Sequence, residues 1–174
     1  MCIEHDQSRG ISRRRLGTML AGATGLALLP MAARAANVDT LCVTCIDYRF
    51  VSKDVTWLNT ELKLAFNNLD LVALAGASLA GIITRIPQNP SALWDQISLA
   101  MSLHHINKVV LLDHMDCGAY KAAFGNPDQP PYNELAEHKR VMPIVAKAIR
   151  NSPYRLQAAC YLMLLEGLPQ EIPS

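Results

Sequence analysis

Three common signatures are missing from this 174-residue chain. A membrane span is the first, because the apolar run from Met19 to Leu29 is about half the ~20 residues a spanning helix needs. Gly17, Gly22 and Gly25 dilute it and Pro30 ends it. A basic run is missing beyond residue 35. Five of the 16 Lys and Arg (Arg9, Arg13, Arg14, Arg15, Arg34) and two of the 15 Asp and Glu (Glu4, Asp6) precede that point, leaving 11 against 13. That balance of −2 excludes the electrostatic footprint of a nucleic-acid binder. Internal repeats are also absent, so the chain reads as one domain.

The segment before residue 36 has its own pattern. Ser12-Arg13-Arg14-Arg15-Leu16 precedes the moderately apolar run, and Ala33-Arg34-Ala35 places small residues where a signal peptidase needs them. Residues 1–35 therefore look like a twin-arginine signal peptide, which implies export of a folded protein to a bacterial periplasm, with an uncleaved anchor as the alternative. Cys2 precedes the basic residues and is not placed like a lipoprotein cysteine. Residues 36–174, 139 in number, suffice for one domain with a hydrophobic core.

Strand and helix patterns alternate along that domain, which predicts an α/β fold with a mainly parallel sheet flanked by helices. Asp39–Ile46, Lys108–Leu112 and Tyr154–Leu165 read as buried strands. Apolar residues at helical spacing predict helices over Val55–Phe66 and over Ala92–His105, with Ser91 as N-cap. A third helix opens at Cys117, and a longer one over Asn133–Arg150 should be kinked or interrupted by Pro143. Gly125–Pro131 is the clearest loop.

The chemistry concentrates in two short motifs: Cys45-Ile46-Asp47-Tyr48-Arg49 and His114-Met115-Asp116-Cys117-Gly118. Each follows a strand, where open α/β sheets place their sites. In an extended segment, residues 45, 47 and 49 would share one face. Two thiols and an imidazole, Cys45, Cys117 and His114, are a zinc inventory that leaves a fourth tetrahedral position open.

These motifs resemble the signature of the β-class carbonic anhydrases, Cys-x-Asp-x-Arg followed by His-x-x-Cys, over roughly Thr40 to Glu166, and Leu69–Ala77 looks like that family's second strand, which ends in Ala-Gly. The resemblance implies Zn2+ held by Cys45, His114 and Cys117, with Asp47 and Arg49 as catalytic dyad. The Arg keeps the Asp off the metal, and the Asp accepts a hydrogen bond from zinc-bound water or hydroxide, the nucleophile. The implied reaction is reversible hydration of carbon dioxide to bicarbonate, and the implied assembly is a homodimer or larger homo-oligomer. Tyr48 stands where the family usually has Ser, Asp113 where Gly precedes the His, and no Arg precedes Ala75-Gly76. A relative hydrolysing carbonyl sulfide or carbon disulfide on the same site, and a zinc protein without catalysis, are the alternatives.

Other residues have plainer readings. Cys42-Val43-Thr44-Cys45 has redox spacing but lies in a strand-like run, so Cys42 reads as core, as does Cys160. His104 and His105 end a helix, where the dipole favours a cation. Glu134 and His138, lacking the second His of a zinc protease, read as a solvated helix face. Asp113 and Asp116 read either as supports for His114 or as turn formers.

Overall fold

The structure, a computed structural model, describes residues 38–64, 68–84, 90–125 and 132–174. The expected signal peptide and residues 126–131 of the expected loop lie outside these. Strands β1 (Thr40–Thr44), β2 (Leu69–Ala73), β3 (Lys108–His114), β4 (Gln157–Met163) and β5 (Gln170–Glu171) form one sheet in the order β2-β1-β3-β4-β5. The first four run parallel and β5 is antiparallel to β4. Helices α1 (Val51–Thr60), α2 (Ser91–His104), α3 (Gly118–Phe124) and α4 (Glu134–Arg150) cover it. The α/β architecture is thus as expected.

Strand alternation sorts the core into two layers. Leu41, Val43 and Cys45 of the first strand segment, with Val109 and Leu111 of β3, pack against α2, α3 and α4. Cys42, Val110 and Leu112 point the other way, onto Phe50, Trp57 and Leu58 of the α1 region. Cys42 and Cys45 therefore project to opposite faces, which argues against a redox pair. Cys42 and Cys160 are core thiols, as expected, and burial pushes each up to about 12.

Several expected boundaries move. Helix α1 starts at Val51 rather than Val55, because the chain turns directly after Asp47: the Phe50 N–H donates to the Asp47 carbonyl at 3.0 Å and that of Asp54 to the Phe50 carbonyl at 2.8 Å. Ser91 is the first residue of α2 rather than its cap, a position taken by Pro90. Strand β2 ends at Ala73, and residues 77–81 form a 3₁₀ turn. Strand β3 runs through to His114. Helix α4 passes Pro143 without interruption and is capped by Asn133, whose Oδ1 accepts from the Ala136 N–H at 3.0 Å. No helix among the described residues is long and apolar enough to cross a membrane.

Candidate metal centre

The carboxyl ends of β1 and β3 are adjacent in the sheet, with Thr44 in register with Leu112. This pairing brings together residues 72 positions apart in sequence. Cys45, one residue beyond β1, and Cys117, the N-cap of α3, place their sulfurs 4.0 Å apart. With His114, the last residue of β3, they form the one His/Cys/Asp/Glu group of metal-binding geometry among the described residues. All three ligand atoms lie within 4.8 Å of one another and all three residues are buried.

Each donor is prepared by its surroundings. The Gly76 N–H donates to Cys45 Sγ at 3.2 Å. Cys45 is held down to about 4, chiefly by the hydrogen bond from Cys117, with His114 and the backbone of Gly76 and Asp47 adding to it against the cost of burial. Cys117 is pushed up, because its sulfur faces that thiolate and is itself buried. His114 lies stacked on Phe50, ring centroids 4.1 Å apart, and its Nδ1 is 2.9 Å from the Met115 carbonyl. Nδ1 is then the protonated nitrogen, and Nε2 presents a lone pair. That Nε2 is buried and makes no hydrogen bond. An orphaned buried acceptor among two thiols is costly, and a thiophilic cation with N and S ligands satisfies it. Burial opposes a charge on His114, yet Cys45, the Met115 carbonyl and Asp47 together raise its pKa.

Asp47 and Arg49 reach this centre through a turn, not through the extended segment expected for residues 45–49. Arg49 grips the carboxylate with two side-chain nitrogens, Nε to Oδ1 at 3.0 Å and Nη2 to Oδ2 at 2.7 Å, and its backbone N–H adds a third bond at 3.0 Å. That grip holds Asp47 down to about 2. Its Oδ2 is 3.9 Å from His114 Nε2. The same guanidinium donates to Asp116 Oδ2 at 2.7 Å and to the Asp116 carbonyl at 2.9 Å.

A protein-family model described as "Putative carbonic anhydrase" matches residues 35–153. The chain belongs to that family. An uncharacterized protein of Rickettsia conorii is 32% identical over 142 residues, covering 79% of this chain and 75% of the relative. Among solved structures, a carbonic anhydrase from Streptococcus mutans superposes with a TM-score of 0.51 at 18% identity, over 79% of this chain and 82% of that one. One of two tetrameric β-carbonic anhydrases from Sordaria macrospora gives the same TM-score and coverages at 16% identity. At such identities the likeness is one of fold, the β-carbonic anhydrase fold.

The expected plainer roles divide. His104 is structural, with Nδ1 2.7 Å from Asp70 Oδ2. Asp113 and Asp116 make no bond to His114: Asp113 turns to the opposite face, onto Ser78, Tyr120 and His138, and Asp116 binds Arg49. Glu134 and His138 are not a solvated face. His138 is fully buried, and Glu134 bonds the backbone of the ligand loop. Asp54 was not singled out in the sequence, yet it is buried on the sheet-facing side of α1. Its position one helical turn before Leu58, and three residues before Trp57, was the available signal.

Proposed function

We propose that this carbonic anhydrase family member is a zinc lyase that reversibly hydrates carbon dioxide to bicarbonate, with Cys45, His114 and Cys117 as ligands and Asp47 and Arg49 as catalytic dyad. The observation that carries the reading is the buried, unpartnered His114 Nε2 facing two thiols beside a carboxylate held by an arginine. Zinc bound by such a set lowers the pKa of a coordinated water and so supplies a nucleophile near neutral pH. The protein's own part is to keep that position free and to orient what occupies it. Both Asp47 oxygens are engaged by Arg49, which draws the carboxylate away from the ligands. It thereby remains an anionic acceptor at the edge of the centre.

Carbon dioxide is uncharged and linear, and the surroundings suit it. Phe50 closes one side of the His114 ring, and Ile46 stands next to Cys45. The reading extends to a homodimer or larger homo-oligomer, supported by the tetrameric fold relative and by Ile46, Tyr48 and Val51, apolar side chains left exposed beside the centre. It extends also to twin-arginine export to the periplasm, supported by the Arg13-Arg14-Arg15 run and the Ala33-Arg34-Ala35 site.

Stopped-flow hydration of carbon dioxide by zinc-quantified protein tests the reaction. The expected result is turnover that falls at least a hundredfold in Asp47→Ala while zinc content stays at one per chain. A zinc-replete protein inert toward carbon dioxide overturns the reading. Turnover of carbonyl sulfide or carbon disulfide would then identify a sulfur-gas hydrolase, and no turnover a zinc protein without catalysis.

A further inference from the structure

The loop that carries Cys117 is fixed from outside the centre by a single carboxylate. Glu134, the first residue of α4, accepts from the Asp116 N–H through Oε2 at 3.0 Å and from the Cys117 N–H through Oε1 at 2.6 Å. Charge-assisted bonds of this kind are about twice as strong as neutral ones. One turn along α4, the buried His138 brings Nε2 to 3.7 Å from Glu134 Oε1, and its Nδ1 lies 3.0 Å from Asp113 Oδ2. Asp113 is itself fixed, accepting from the Ser78 N–H at 2.9 Å and from the hydroxyls of Ser78 and Tyr120 at 2.6 and 2.8 Å. Helix α4 thus reaches both ends of the stretch 113–117 that contains two of the three metal-site residues.

That stretch needs an external hold. Asp116 has φ +60°, a left-handed conformation that Asp adopts more readily than most residues with a Cβ but that local hydrogen bonds must still secure. Cys117 is extended at φ −82°, ψ 115°, and the helix it caps has seven residues, too few to impose order on its own N-terminus. Asp116 is also the junction between two grips. Glu134 holds its N–H from one side, and Arg49 holds its carbonyl and carboxylate from the other.

We infer that Glu134 is a positioning residue of the metal centre: its carboxylate fixes the backbone of Asp116 and Cys117, and so sets where the Cys117 sulfur stands relative to Cys45 and His114. The inference rests on the reading of Cys45, His114 and Cys117 as ligands. Glu134→Gln keeps the shape but offers one acceptor in place of two, turning an amide NH2 toward one backbone N–H.

Two measurements on the whole protein test it: release of zinc to a chromophoric chelator, and the thiolate-to-metal charge-transfer band of the cobalt-substituted protein. The expected result for Glu134→Gln is zinc release 10- to 100-fold faster, the usual cost of losing a partner that orients a ligand, together with a displaced or weakened cobalt band. Glu137→Gln, which loses only the pairing with Arg140 on the same helix, should match the unmodified protein. Should Glu134→Gln fail to fold, Glu134→Asp, which draws the same charge back by one methylene, is read in the same way. A folded Glu134 variant with unmodified release rate and band, or Glu137→Gln releasing zinc equally fast, overturns the inference. Failure of the unmodified protein to take up zinc or cobalt overturns the ligand reading instead.

Discussion

Asp54 sits among Phe50, Trp57 and Leu58, and its buried Oδ1 makes no hydrogen bond. Desolvation is the main reason its pKa rises to about 7, opposed by His114 and aided by the charges of Cys45 and Asp47. The direction fixes its effect on stability. Below about pH 4 the carboxyl is protonated in both folded and unfolded chains and contributes nothing. Between pH 4 and 7 the unfolded chain releases a proton that the folded chain retains, so stability falls as pH rises, until the folded carboxyl also ionises. Asp54→Asn removes this dependence. In metal-free protein its stability relative to the unmodified chain should improve by roughly 2–4 kcal/mol between pH 4 and pH 7, read by urea unfolding at the two pH values. A difference that does not change with pH would mean that Asp54 is not held protonated by its surroundings. Asp47 shows the opposite shift: its bond to Arg49 stabilises the fold above about pH 4 and is lost as pH falls through about 2.

At the scale of elements, the turn after β2 matters most to the centre. Gly76 has φ +74°, and a Cβ there would lie 2.9 Å from Leu79 Cβ and 3.3 Å from Ala119 Cβ, while its N–H is the one that bonds Cys45 Sγ. Gly76→Ala should cost about 2 kcal/mol or more from left-handed strain and overlap, lowering Tm by several degrees, and should weaken zinc retention because the N–H must move. Unchanged Tm and retention would show that the turn relaxes freely. The same element shows what a linear pattern can reveal. Strands β1 and β3 were legible as apolar runs and helix α2 by apolar residues at helical spacing, and the grouping of Cys45, His114 and Cys117 because all three lie at or just beyond the ends of those two strands. The start of α1 was not, since Asp54 reads as solvated in a one-dimensional pattern and is buried only by the sheet. Glu134 and His138 escaped for a similar reason: their partners, the backbone of residues 116–117 and the carboxylate of Asp113, lie 17 to 25 positions away. Strand β5, two residues long, is too short for any periodicity.

Taken as a whole, the molecule is a mainly parallel sheet whose paired strands β1 and β3 bring three candidate metal donors together at one end. The donors come from the end of β1 and from the β3–α3 junction, so a metal there cross-links the middle of the sheet across 72 residues of chain. An unfolded chain presents no such preformed site, and binding free energy is therefore folding free energy. Free zinc at a thousandfold excess over its Kd adds about 4 kcal/mol. For a domain of this size that corresponds to a Tm higher by roughly 10–15 °C. Scanning calorimetry with saturating zinc and with a strong chelator should show this gap in the unmodified protein. In Cys117→Ser the gap should shrink to a few degrees, because the remaining pair retains far less affinity. A gap of equal size in Cys117→Ser would place the stabilising metal elsewhere in the chain and remove Cys117 from the ligand set.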